Sequence, residues 1–333
     1  MLIGTRRHPK APSLRRAKRI EKDLSGTKVS FVAPVSYSPL TIRQAGGEEA
    51  EFDLSNAECF KPELAADQTE IPDVRTATIF TGSWAFRGLP FVHGYCGSVN
   101  CHFGVKRVEN LPVNESLFDS RVLAREVNKC LELTVVNDFH EPVLDDPFDI
   151  TVYQWPGYLS PINCQWLSIE TIDWLYLENQ PLTRVMSSNT WSTAISDRHY
   201  MTCSFYIKRS TLNAGNPYRI EQRVSSDNFL AFMHKIMGSF KIELSPSAQA
   251  EKERVKLQII QQSRPILLCT TEQVELSKQV LHHYSNRGYR GSSKDPNETH
   301  RADPKDVSAF IEERIKPRPL PGSYAKGPAL NEK

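Results

Sequence analysis

The tightest constraint on the fold lies between Phe148 and Arg209. This stretch holds four of the five tryptophans, Trp155, Trp166, Trp174 and Trp191, in short aromatic and β-branched runs. The runs at 149–153, 165–169, 173–177 and 200–208 are separated by Pro156-Gly157, Pro161, Pro181 and Asn189. Short strands punctuated by turn residues at this spacing predict an antiparallel meander. In Trp174-Leu175-Tyr176-Leu177 both faces are apolar, so that strand is expected to be central or covered by a helix.

Upstream, 74–86 and 99–108 have strand composition and are joined through Gly88, Pro90, Gly94 and Gly97. Residues 117–131 place Leu123, Val127 and Cys130 or Leu131 at helical spacing. After Ser225-Ser226-Asp227, the residues Phe229, Phe232, Met233, Ile236 and Phe240 repeat the helical period, with Gly238 as a stop. Residues 240–244 alternate as a strand, 248–262 read as a charged helix broken by Pro265, and 266–269 as an extended run. A further helix is signalled by Thr271 as cap, with Val274, Leu281 and Tyr284 on one face. The expected fold is α+β: one main domain over 71–284, an antiparallel β-sheet covered by helices on one or both faces, with flexible N- and C-terminal extensions.

Charge divides the chain at its ends. Residues 1–28 carry nine Lys/Arg against two acids and 282–333 carry ten against seven, leaving 22 basic and 30 acidic residues between them. An acidic body repels phosphate backbones, so nucleic acid or another acidic surface is expected only at the N-terminal arm. Residues 1–28 therefore read as a basic flexible arm, with Arg6, Arg7, Arg15, Arg16, Lys18 and Arg19 as candidate contacts, and 29–70 as an extended wrapping segment. Residues 285–302 read as a linker, and 303–333 as a short helix and proline-rich tail. That helix is marked by Asp303 as cap and Pro304 at its first position, and its small stripe of Val307, Phe310 and Ile311 docks in cis or on a protein partner.

No run approaches the ~20 apolar residues of a membrane-spanning helix. The seven cysteines are odd in number and dispersed, as buried free thiols are, and a cytoplasmic location is expected.

Chemistry is thinly signalled. His93, Cys96, Cys101 and His102 have zinc-ligating side chains within ten residues, but neither Cys-x-x-Cys nor His-x₃-His spacing, and a glycine-rich hairpin with buried thiols uses the same letters. The acids Asp138, Glu141, Asp145, Asp146 and Asp149 lie among prolines, as solvated connections do. His199 and Cys203, four apart in a strand pattern, stand more than ~12 Å apart, too far for proton transfer. His234, on an apolar-sided helix, reads as a boundary residue. Nucleophile-elbow, phosphate-loop, dinucleotide and metalloprotease motifs are missing, and no cofactor is expected. Two functional classes follow. The favoured one is a non-enzymatic binding or structural protein acting through its surface and termini, with catalytic residues unknown. The alternative is an enzyme or small-ligand-binding domain with its pocket in the aromatic sheet, at Trp155, Trp166, Trp174 and Tyr176.

Overall fold

The computed structural model describes residues 4–35, 51–65, 67–89, 92, 94–136, 138–140, 155–184, 186–210, 217–258, 264–286 and 302–320. The strands β1 (Lys18–Leu24), β2 (Thr27–Ala33), β3 (Glu51–Phe52), β4 (Lys61–Leu64), β5 (Glu70–Arg87) and β6 (Tyr95–Val108) precede helix α1 (Ser120–Leu131). Then come the two-residue strands β7 (Phe139–His140) and β8 (Trp155–Pro156), and β9 (Tyr158–Ile169), β10 (Ile172–Pro181), β11 (Met186–Ala194) and β12 (His199–Arg209). The last part holds α2 (Pro217–Arg223), α3 (Asp227–Met237), β13 (Lys241–Glu243), α4 (Pro246–Gln258), α5 (Thr271–Asn286) and α6 (Pro304–Ile315). The chain is α+β.

The main sheet is seven-stranded and antiparallel, in the order β4-β5-β6-β12-β11-β10-β9. Strands β9 to β12 form an antiparallel meander, and β12 then pairs with β6 from His199↔Arg107 to Arg209↔Gly97. The runs 165–169, 173–177 and 200–208 fall in β9, β10 and β12, but β11 is a strand the sequence pattern does not predict: Asn189, expected as a turn residue, pairs with Phe205 inside it, and Pro161 lies within β9. Alternation gives the sheet two unlike faces. On one, Cys101, Phe103 and Val105 of β6 and Met201, Cys203, Phe205 and Ile207 of β12 join Trp191, Trp174 and Tyr176 in the main core. A smaller sheet, β13-β2-β1 antiparallel with β3 added parallel, and helix α3 cover that face. Phe31 of β2 stacks on Phe240 at 4.7 Å and meets Phe103 edge-on at 5.1 Å, which ties the two sheets together.

On the other face, α1 lays Leu123, Val127 and Leu131 against Cys164, Leu175, Leu177 and Tyr200. It begins three residues later than its periodicity predicts, because the Asp119 carboxylate accepts from the Arg121 N–H at 2.9 Å and caps it there. A third cluster forms at the β9 edge, where α5 and α6 pack Val280, Leu281, Val307 and Ile311 around Trp155, Leu159, Ile162 and Leu182.

Two expectations are corrected, and one open alternative is decided. The N-terminal arm does not end at residue 28. Lys18–Leu24 pairs with Thr27–Ala33 through a turn with positive φ at Ser25 and Gly26, and Leu24, Val29 and Phe31 are at most 1% exposed. Residues before it are stitched on by backbone bonds: Lys10 N–H to Arg87 O at 2.7 Å, and Ser225 N–H to Arg7 O at 2.8 Å. The apolar face of the hairpin outweighs its charge: Ile20, Leu24, Val29 and Phe31 face the core with Lys22 buried beside Val29, while Arg19, Glu21 and Lys28 take the alternate face. The segment 29–70 accordingly contributes β2, β3 and β4 to sheets rather than only wrapping them. The C-terminal helix docks in cis, with Val307 and Ile311 fully buried. The expected strand at 149–153, the acids at 141–149 and most of the linker at 285–302 lie outside the described residues. Among the described residues no helix is long and apolar enough to cross a membrane.

Candidate functional site

The second face of the main sheet is polar where α1 does not reach it. On β12 the residues Tyr200, Thr202, Ser204 and Tyr206 alternate with the core-facing set, and on β11 Ser188, Thr190 and Ser192 do the same. Register aligns them into rows: Lys106↔Tyr200, Gly104↔Thr202↔Ser192, His102↔Ser204↔Thr190, and Tyr206↔Ser188↔Asn179. Glu63 of β4, Thr76 of β5 and Tyr158 of β9 close the sides. Val127, Cys130 and Leu131 at the end of α1, with Thr134 and Val135 of the π-helical turn Glu132–Val136, form the roof. These groups enclose about 280 Å³. Gly104 leaves a gap in the floor between His102 and Lys106, where a Cβ would come within 2.9 Å of the Ala77 carbonyl oxygen.

The ionic groups of this cleft are already paired. Lys106 Nζ lies 3.0 Å from Glu63 Oε1. Burial alone would lower the Lys106 ammonium, but its attraction to Cys130 and Glu63 outweighs that and holds it above its ordinary range. Lys106 is thus a charged donor and not a free amine nucleophile. The Arg184 guanidinium grips Asp138 with two hydrogen bonds, Nε to Oδ2 at 2.8 Å and Nη2 to Oδ1. Burial lowers the His102 imidazole despite the nearby Glu63, and its Nε2 sits 2.8 Å from Thr78 Oγ1. Burial, reinforced by Asp138, pushes the Tyr158 phenol up to about 12, and burial raises Tyr206 and Tyr200 as well, Tyr200 with help from Cys130, whose Sγ is 3.4 Å from its hydroxyl. At neutral pH the cleft therefore presents protonated hydroxyls, a neutral imidazole and paired charges. The hydroxyl of Ser192, a residue only 1% exposed, has no hydrogen-bond partner among the described residues.

The residues singled out from sequence are scattered by the fold. Cys101 and His102 are neighbours on β6 and so point to opposite faces, Cys101 into the core and His102 into the cleft. Cys96 is 1% exposed, its Sγ 3.8 Å from the Gly94 carbonyl, and burial raises both thiols. His93 lies outside the described residues, among which no group of three or more His, Cys, Asp or Glu is placed to hold a metal. The four aromatics also do not share a pocket. Trp174 and Tyr176 are core residues, Trp155 packs against α5 edge-on to His283, and half-buried Trp166 lies 5.4 Å below the Arg264 guanidinium. Of the basic set, Arg7, Arg15, Lys18 and Arg19 are exposed and Arg6 is half-buried, while the Arg16 side chain is not described. Ile311 is inside the third cluster and so is not available as a partner surface, while half-buried Phe310 packs edge-on against Tyr218 at 5.6 Å.

Glu63, Lys106, Cys130, Ser192, Tyr200 and Tyr206 line the cleft without belonging to any sequence motif. The signal was present in the strict alternation of hydroxyl and apolar residues along 200–207, which marks a strand with one polar face inside the fold. A larger space of about 590 Å³ lies between the N-terminal segment and α3, with His8, Lys10 and Lys235 among its lining and Asn228, on its wall, donating to the Pro9 carbonyl.

No family model and no curated protein matches the chain. A solved structure from Bacteroides thetaiotaomicron aligns at 11% identity over 68% of this chain and 70% of its own, with a TM-score of 0.20, a likeness too low to carry an argument.

Proposed function

We propose that this protein binds a small polar molecule in the cleft between the hydroxyl-bearing face of the main sheet and the end of α1. The observation that carries the reading is the convergence of hydroxyl rows from several strands on a space of about 280 Å³, with the buried Ser192 hydroxyl left without a partner among the described residues. Such a concave site with a few convergent polar groups is the usual form of a ligand pocket, and an orphaned buried hydroxyl is normally matched by a ligand or water. It keeps the alternative drawn from the sequence, a ligand site in the sheet region, but moves it to the opposite face from Trp174 and Tyr176. The competing reading, action through the termini, loses its motive because β1 and α6 pack onto the body. Lys106, His102 and the tyrosine hydroxyls can orient and polarise a bound carbonyl or hydroxyl by donating to it.

The test is a protein-observed NMR screen of a library of neutral, anionic and cationic fragments, repeated on Ser204→Phe, which places a ring in the cleft. Fragments should shift signals of α1, β11 and β12, and the ring should abolish those shifts. Hits confined to other surfaces, or hits indifferent to the ring, overturn the proposal.

A further inference from the structure

Resting on that reading, we infer that the cleft takes a free, uncharged, polyhydroxylated molecule of the size of a single sugar or cyclitol ring, with Ser192 among its hydrogen-bond partners. Charge argues first. The acidic and basic side chains at the cleft are mutually satisfied, Lys106 by Glu63 and Asp138 by Arg184. A charged ligand would have to break one of these pairs and strand its partner, or enter without a counter-ion, and both are costly away from water.

Hydrogen-bonding capacity argues second. Ser188, Thr190, Ser192, Thr202 and Ser204 lie side by side on two adjacent strands. Each hydroxyl can donate and accept, which suits a ligand whose own hydroxyls do both. Part of this capacity is already turned inward: Thr190 Oγ1 is 3.1 Å from Ser204 Oγ, and Asn179 Nδ2 donates to Ser188 Oγ at 2.6 Å. The Ser192 hydroxyl has no partner among the described residues, and Ser192 lies on the cleft wall in the row of Thr202. Tyr158, Tyr200 and Tyr206 add ring surface for the apolar C–H faces of such a molecule. Size argues third, because about 280 Å³ is at the small end for ligand pockets and suits one ring rather than a chain.

Calorimetry and NMR on the full chain test this with matched probes: glucose, galactose and myo-inositol against glucuronate, glucose 6-phosphate and glucosamine. A neutral probe should bind in the cleft, and its charged counterparts should bind at least about tenfold more weakly. Ser192→Ala should weaken the neutral probe by about tenfold while leaving the thermal midpoint unchanged or raised, since it removes a buried orphan. Should that variant not fold, Thr202→Val, at the position paired with Ser192, reads the same ratio. Equal or tighter cleft binding by a charged probe overturns the neutral assignment and leaves the cleft standing. A trisaccharide that binds more tightly than its terminal sugar overturns the free-molecule assignment. Silence from every probe while the fragment library still finds the cleft overturns the polyhydroxyl class. Silence from both removes the cleft reading itself.

Discussion

His234 shows what a single side chain contributes. It is 2% exposed on α3, its ring 5.2 Å from that of Trp191, and burial lowers its imidazole from 6.5 to about 4. The unfolded chain therefore takes up the proton first as pH falls. The stabilisation is full above 6.5, shrinks between 6.5 and 4, and is gone below that window, a loss of roughly 3 kcal/mol. Urea unfolding at pH 7 and pH 4.5 should show a smaller drop in His234→Phe than in the native chain, and equal drops would refute the assignment. Its place in the core was not legible, because the helical period marks a boundary histidine and a buried one alike. Lys106 and Glu63 make a second test in the cleft. Lys106→Met should cost about 2 kcal/mol by leaving the carboxylate unpaired, and adding Glu63→Gln should return part of it, a coupling that a double-mutant cycle measures.

The C-terminal element is held by more than its apolar stripe. Ile311 is fully buried, so Ile311→Ala should cost about 2–5 kcal/mol in equilibrium unfolding. Beyond α6, the chain at Arg318 is clasped: its N–H donates to Asn163 Oδ1 at 2.9 Å, its carbonyl accepts from Gln165 Nε2 at 2.9 Å, and its guanidinium pairs with the buried Glu178 carboxylate. Glu178 also accepts from Tyr176 Oη at 2.8 Å and from Asn163 Nδ2 at 2.6 Å. Arg318→Met should raise hydrogen exchange across residues 316–320 at least about tenfold and leave β6 and β12 protected. Unchanged exchange there would mean the clasp does not hold the segment. The start of this helix was legible to the residue, since Asp303 accepts from the Lys305 N–H at 2.7 Å with Pro304 next to it. The cap of α5 lies one residue before the Thr271 that the pattern predicts: of the two adjacent threonines it is Thr270 whose Oγ1 accepts, from the Gln273 N–H at 3.2 Å.

At the scale of the molecule, the N-terminal hairpin is a wall of the main core. A chain beginning at residue 29 loses β1 and Leu24, and also Thr27, whose Oγ1 accepts from the Ser245 N–H at 3.0 Å. Calorimetry of that truncation should show a midpoint at least ~10 °C lower, or no cooperative transition. A native-like transition would restore the arm to a dispensable appendage.

The sequence by itself determined that β5, β6, β9, β10 and β12 would be strands and that 227–237 and 304–315 would be helices. Alternation, helical period, caps and turn residues act within a few positions, through backbone sterics and local hydrogen bonds. Only the tertiary structure decided that β6 pairs with β12 across about a hundred residues, that a basic segment closes the core, and that α1 roofs part of a hydroxyl-lined face and leaves the rest as a cleft. Those outcomes depend on which apolar faces find each other, a choice made by total burial rather than by any local run of residues.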